Sequence, residues 1–325
     1  MICKHRIFIC ASLIALSASL TVSLPAYSQN ADIRVARFLD NRSGAVSYTF
    51  DDGLLEQYTE LFPVLQQLGL KCSFCVNGNT INHAKPTDEK PRMTWEMIKE
   101  MSDKGQEISS HGWAHTNIKK IHGEALRYEV QHNDTVIWQH TGVFPRTYFY
   151  PGNSKCEEGI AYASRDRVGT RTFQISLGSK RDSLWLHNWI RSVIANKEWA
   201  VGMTHGISRG YDHFSNPQVF FNHLKDACHL QDSLWIGTFH DVAAYVAERD
   251  TIQLKISYSN RKRKTTIKPI IKLDKQIFTI PLTLLIPENT KAVTQAGKSL
   301  EIANYSGGKM VNINPFGGKI ALLFE

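Results

Sequence analysis

Two carboxylates stand side by side in the run Thr49-Phe50-Asp51-Asp52-Gly53. Adjacent like charges repel, so such a pair is costly unless a cation or a strong hydrogen-bond donor compensates it. A bound metal would do so; Asp-Asp-Gly is also an ordinary turn sequence. A second pair occurs in His111-Gly112-Trp113-Ala114-His115, whose imidazoles are four residues apart. One helical turn or a tight loop can aim both rings at a single ion. In a chain with thirteen histidines such a pair also arises by chance, and isolated histidines usually serve as satisfied polar groups. The combination is more specific. One carboxylate and two imidazoles make three ligands with an open fourth position, the pattern of a catalytic rather than a structural zinc site.

These groups need a scaffold that brings distant segments together. From about residue 44 to 248, short apolar runs alternate with helical patterns, which predicts an α/β domain with parallel strands and crossover helices. Strands are expected at 45–50, 70–76, 106–110, 147–150, 200–204 and 234–239. Helices are expected after the Asp-Asp-Gly turn up to Leu68, from Thr94 to Gly105, at 125–139 and at 242–248. The candidate groups fall just past strands: Asp51 and Asp52 after the first, His111 after the third, Tyr150-Pro151-Gly152 at the fourth and His205 after the fifth. Clustering at C-terminal strand ends is what a β/α barrel produces. After Asp250 the helical pattern stops, and strand-like segments at 253–257, 277–286, 310–313 and 319–324 are separated by Pro287, Gly297, Gly307-Gly308 and Gly317-Gly318. The expected organisation is therefore a barrel domain over 29–250 and a small all-β sandwich over 251–325. The sandwich is read first as a packing module and second as a sugar-binding one.

The motifs resemble those of the polysaccharide deacetylase family of carbohydrate esterases, the NodB-homology fold. Thr49 to Gly53 is similar to the family's first motif, and the resemblance implies that Asp51 is the catalytic base and Asp52 a metal ligand. The second motif is matched by the run from His111 to His115, which implies that both histidines bind metal. Tyr148-Phe149-Tyr150-Pro151-Gly152 resembles the third motif, a groove wall that offers a backbone N–H to the oxyanion. Val201-Gly202-Met203-Thr204-His205 resembles the fifth, which implies that His205 is the general acid. The family fold is a distorted barrel of about seven strands. Two departures stand out. Many members have an arginine in the third motif that holds the base, whereas Phe149 occupies that place here; either Arg146 or Arg171 replaces it from a different direction, or the role is unfilled. The fourth motif, an acidic residue before tryptophan, has no clear match, with Trp185 and Trp189 the nearest candidates.

The activity implied is hydrolysis of N-acetyl or O-acetyl groups from a polysaccharide or oligosaccharide with release of acetate. The cofactor would be Zn2+ or another divalent ion such as Co2+, Ni2+ or Mn2+. Trp113, Tyr150, Pro151 and Gly152 are expected to contact the sugar, which is chitin-like, peptidoglycan or acetylated hemicellulose. Two other readings keep the same scaffold: a carbohydrate-binding protein that has lost turnover, and a metal-dependent amidase on a non-sugar substrate.

Composition agrees with a folded, exported protein. The 325 residues are 42% hydrophobic and 21% charged, which excludes a disordered chain. Lys4, His5 and Arg6 precede an apolar stretch at 7–24 and the short-side-chain pattern Ala26-Tyr27-Ser28, the layout of a cleavable secretion signal over 1–28. An uncleaved membrane anchor is the alternative. Cleavage predicts a secreted or periplasmic protein with no later membrane span, and nothing points to nucleic acid. The formal charge of +8 would fall to +6. The excess reads as diffuse and solvated, with anionic cell-wall polymers or lipopolysaccharide as alternative partners. The cluster at 261–264 reads first as a charged hairpin turn and second as a polyanion contact. Cys72, Cys75, Cys156 and Cys228 would remain, either as two disulfides or as free buried thiols. Cys72 and Cys75 are expected on opposite faces of one strand.

Overall fold

In the computed structural model, residues 33–82, 91–179 and 181–324 are described. The expected secretion signal at 1–28 lies outside them. The chain opens with β1 (Arg34–Val35) and then enters β2 (Gly44–Phe50), whose seven residues are all buried. A strand covered on both faces has no need of alternation, hence the run Gly-Ala-Val-Ser-Tyr-Thr-Phe. A π-helical turn at Gln57–Leu61 leads into α1 (Phe62–Leu68), which Gly69 ends in the left-handed conformation. The pattern continues through β3 (Ser73–Val76), α2 (Trp95–Asp103), β4 (Glu107–Ser110), α3 (Gly123–Thr141) and β5 (Thr147–Phe149). It proceeds through α4 (Glu157–Ala163), β6 (Gly169–Arg171), β7 (Ile175–Ser176), α5 (Ser183–Asn196) and β8 (Trp199–Thr204). The domain ends with α6 (Pro217–Cys228), β9 (Leu234–Ile236) and α7 (Phe239–Thr251).

The strands β6-β5-β4-β3-β2-β8-β7 form a parallel sheet in that order, and β9 pairs with the N-terminal half of β2. The two edge strands, β6 and β7, are joined by only three residues, 172–174. Four peptide steps reach at most about 14 Å, so the sheet must curl until its edges nearly meet. This is the expected distorted β/α barrel of seven strands, with β9 filling the space beside β2 below β3. Strands β6 and β7 span three and two residues, too short to show a period in the sequence.

The C-terminal strands are β10 (Gln253–Ser259), β11 (Lys264–Ile270), β12 (Leu282–Ile286), β13 (Thr290–Gln295), β14 (Lys298–Leu300), β15 (Ile302–Tyr305), β16 (Gly308–Ile313) and β17 (Ile320–Phe324). They form two antiparallel sheets, β1-β12-β16-β15 and β10-β11-β17-β13-β14. Residues 277–281, expected as strand, precede β12 without joining it. Ile267, Leu282, Leu284, Val293 and Leu322 pack in one cluster with Phe38, Trp235, Val242 and Tyr245. The β-sandwich thus shares its core with α7 and the segment before β2. Cys72, Cys75, Cys156 and Cys228 are all free, which settles the open choice against disulfides. Cys72 packs with Leu65 and Ile98, and Cys75 with Phe149 and Phe239, in separate clusters on the two sides of the sheet. No helix of the described residues is long and apolar enough to cross a membrane.

Candidate active site

At the C-terminal ends of the central strands lies a cleft of about 510 Å³, lined by Asp51, Asp52, His111, His115 and His205 among others. The fold brings all five together. Asp51 directly follows β2 as a buried residue, 3% exposed, and its N–H donates to the Thr204 carbonyl (3.1 Å) on the neighbouring β8. Asp52 then takes a left-handed backbone (φ 76°), as does Gly53 (φ 66°). The sharp turn leaves both carboxylates near His111, whose Nε2 is 4.0 Å from Asp51 Oδ2 and 3.6 Å from Asp52 Oδ1. Gln57, buried in the π-helical turn, donates through Nε2 to the carbonyls of Asp51 (2.7 Å) and His205 (2.9 Å). One amide therefore ties together the ends of β2 and β8.

His111 follows β4. Its Nδ1 lies 2.6 Å from the Phe149 carbonyl, an acceptor only, so Nδ1 carries the proton and Nε2 presents a lone pair to the cleft. Burial pushes His111 down to about 4, against the opposing pull of Asp51 and Asp52, which keeps the ring neutral. Nε2 is 3.6 Å from Asp52 Oδ1, and His115 Nε2 is 3.7 Å from the same oxygen. The three ligand atoms lie within 4.8 Å of one another. Asp52 Oδ1 is buried with no hydrogen-bond partner. A buried carboxylate oxygen without a donor is costly, and the nearest ring nitrogens, at 3.6 and 3.7 Å, lie beyond hydrogen-bond distance of it. A divalent cation would satisfy all three atoms, so this donor set fits a metal.

The loop that carries His115, itself left-handed (φ 57°), is fixed by Glu129 from α3. The Glu129 carboxylate accepts from the N–H groups of Ala114 and Thr116 and from the Thr116 hydroxyl, at 2.9–3.2 Å. Gly112 is required beside it, because a Cβ there would meet Glu129 Oε1 at 2.6 Å. Neither Glu129 nor Gln57 carried a sequence signal. Each is an ordinary polar residue within a helical pattern, and its role appears only when the loop docks on it.

Arg171, at the end of β6, supplies what the third motif lacks. Its NH1 and NH2 reach Asp51 Oδ1 and Oδ2 at 2.7 and 2.5 Å, and NH1 also donates to Thr49 Oγ1 at 2.8 Å. Burial alone would raise the Asp51 carboxyl; the guanidinium reverses this and holds it well below the usual range. The buried Cys75 thiol also donates to Asp51 Oδ1 at 3.2 Å. Arg146 instead donates to the Asp166 carbonyl at the other end of β5.

Across the cleft stands His205, its ring edge-on to Tyr211 with centroids 4.9 Å apart. Tyr150 and Gly152 line the cleft, while Pro151 is buried at the head of the turn that shapes this wall. Trp113 is not among the lining residues. It packs over Gly78 and edge-on to His132, with centroids 4.4 Å apart, on the far side of the histidine loop. Trp185 and Trp189 lie on α5, where Trp189 packs against Tyr48, so neither fills a fourth motif at the cleft.

Residues 39–167 match the polysaccharide deacetylase family model. The match includes Asp51, Asp52, His111 and His115 and ends before Arg171 and His205. Among curated proteins, the chain is similar to a gellan lyase of a Bacillus species, 23% identical over 84% of this chain and 12% of that protein. It is also similar to YxkH of Bacillus subtilis (strain 168), named as a candidate polysaccharide deacetylase, 28% identical over 37% of this chain and 41% of that protein. The chain thus spans less than half the length of either relative. Among solved structures it resembles a peptidoglycan N-acetylglucosamine deacetylase, with 17% identity, 62% of this chain and 88% of that one covered, and a TM-score of 0.47. It also resembles a family 4 carbohydrate esterase from Streptomyces lividans, with 14% identity, 60% and 93% covered, and a TM-score of 0.45.

Proposed function

We propose that the protein is a secreted, metal-dependent hydrolase that removes acetyl groups from a polysaccharide or oligosaccharide. The observation that carries this reading is the meeting of Asp52 Oδ1, His111 Nε2 and His115 Nε2 within 4.8 Å, beside a second carboxylate held in its ionised form by Arg171. Bound there, a zinc or similar divalent ion would supply Lewis acidity for an attacking water and an acyl carbonyl.

The remaining work falls to the chain's own groups. Asp51, kept charged by Arg171, which Thr49 also binds, and hydrogen-bonded by Cys75, accepts a proton from the attacking water. His205 faces it across the cleft and hands a proton to the departing amine or alkoxide, so that acetate and a free sugar amine or hydroxyl result. The Tyr150 to Gly152 wall borders the acyl site and would present backbone N–H to the developing oxyanion. Tyr211, 71% exposed at the mouth, offers an aromatic face to a sugar ring. Arg171 favours turnover over a purely binding role, since a binder gains nothing from a buried cation that holds a second carboxylate ionised.

The test is acetate release from acetylated chito-oligomers, peptidoglycan fragments and acetylated xylan, with and without added zinc. Release that needs zinc, and that disappears in Asp51→Asn and His115→Ala, supports the reading. A zinc-loaded protein that releases no acetate from any of these glycans overturns it in favour of sugar binding or of a non-sugar amide substrate.

A further inference from the structure

The positive charge of this protein is not spread along the chain as its composition first suggests. Of 38 Lys and Arg and 30 Asp and Glu in all, twelve and four lie in residues 251–325. That stretch therefore carries a formal +8, while the preceding 250 residues, with 26 of each sign, carry none. Among the described residues, none of these twelve cations forms an ion pair, whereas Arg42, Arg92, Lys99, Arg127, Arg167 and Arg171 all do so in the barrel part.

The strand register concentrates part of this charge on one face. In the β10–β11 ladder Ile256 lies opposite Ile267, which is fully buried, so these side chains point inward. The alternate residues point out. Lys255 is directly opposite Lys268, Ser257 opposite Thr266, and Ser259 opposite Lys264. The same rows continue onto β17 and β13, where Thr266 meets Ala321 and Ala321 meets Thr294, while Lys264 meets Leu323. At one end of the face, the turn between β10 and β11 adds Arg261, Lys262 and Arg263. Directly opposed like charges destabilise a strand pair, so the Lys255–Lys268 pair costs stability unless an anion bridges it. None of the residues named on this face carries a carboxylate.

We propose that the outer face of the β10–β11–β17 sheet binds an anionic polysaccharide, one bearing uronate-type carboxylates, and so tethers the barrel to its polymer. Small hydroxyl side chains beside lysines suit sugar hydroxyls and carboxylates. Leu323 (40% exposed) and Ile270, opposite Gln253, are the large apolar side chains on these outward rows, which is too little to insert into a lipid bilayer. Binding here needs no catalysis, so this proposal and the deacetylase reading can fail separately.

The experiment measures retention of the full chain on polygalacturonate and on neutral xylan as salt is raised, with anionic lipid vesicles as a third arm. Two triple variants are compared: Lys255→Gln/Lys264→Gln/Lys268→Gln on the face, and Lys272→Gln/Lys275→Gln/Lys298→Gln elsewhere in the same module. Both lose the same charge, and melting curves check that both fold. The expected result is salt-sensitive binding to polygalacturonate alone, about tenfold weaker in the face variant and within about twofold of the parent in the other. Equal loss in both variants, no binding to polygalacturonate, or stronger binding to vesicles would each overturn the proposal.

Discussion

Arg171 and Asp51 face each other as a two-pronged ion pair at 2.7 and 2.5 Å, both side chains almost fully buried, although 120 residues separate them. Removing one member of such a pair leaves an uncompensated charge in a low-dielectric site, at a cost of about 3–5 kcal/mol. Arg171→Met is therefore expected to destabilise the protein by about that much in chemical denaturation. Adding Asp51→Asn to it should recover at least half of the loss, because the orphaned charge is gone. If the double variant is as unstable as Arg171→Met alone, the pair is not what holds this part of the barrel.

Much of this site is legible in the sequence because its groups are local. Asp51 with Asp52, and His111 with His115, are separated by one and four positions, and each follows a strand whose apolar run is easy to see. Arg171 is not legible in the same way. It sits on a three-residue strand with no periodicity, and only the curling of the sheet brings β6 over Asp51. Gln57 and Glu129 escape notice for a related reason: a buried amide or carboxylate that satisfies a loop's backbone looks, in sequence, like a polar residue on a solvated helix face. The all-β character after residue 250 is readable from turns and alternation. The joining of β1 to β12 is not, since a two-residue strand leaves no pattern.

Arg92 grips the aspartate expected to hold metal. Its NH1 donates to the Asp52 carbonyl and lies 3.6 Å from Asp52 Oδ2, leaving Oδ1 turned toward His111 and His115. Its backbone is fixed by a bridge to Leu54. Outer partners that orient a metal ligand are typically worth 10–100-fold in affinity. Arg92→Ala should therefore weaken zinc binding by about that factor, measured by competition with a chelating dye. Arg92→Lys, a point charge without the guanidinium fork, should recover only part of it. Unchanged affinity in Arg92→Ala would remove Arg92 from the site.

The free cysteines should differ in reactivity. Cys72 and Cys75 are fully buried, and burial pushes both thiols up, with the Asp51 carboxylate acting in the same direction on Cys75. The thiolate is the reactive form. In the native protein a disulfide reagent at pH 8 is expected to leave these two unmodified for hours while Cys156 and Cys228, both partly exposed, react. All four should react in denaturant. Rapid native labelling of Cys75, identified by mass spectrometry, would mean that the cleft opens far more than its packing allows.

Glu248, on α7, is fully buried, and neither carboxylate oxygen has a hydrogen-bond partner among the described residues. Burial pushes its carboxyl up to about 7 from an ordinary 4.5, against the weaker pull of His240. The folded state therefore keeps a proton that the unfolded chain has already released between these two values. Stability is linked to pH through that difference in bound protons, so it should fall as pH rises from about 4.5 to about 7 and change little through this group above that. Glu248→Gln has no such proton to lose. It should flatten this part of the profile and raise stability at pH 8 by up to about 3 kcal/mol, the linkage equivalent of moving the carboxyl from 4.5 to about 7. Urea denaturation of both proteins at half-unit intervals from pH 4.5 to 8 measures this. A variant whose profile runs parallel to the parent's would show that Glu248 is already ionised at acid pH, and that some group on α7 or in the β-sandwich stabilises its charge.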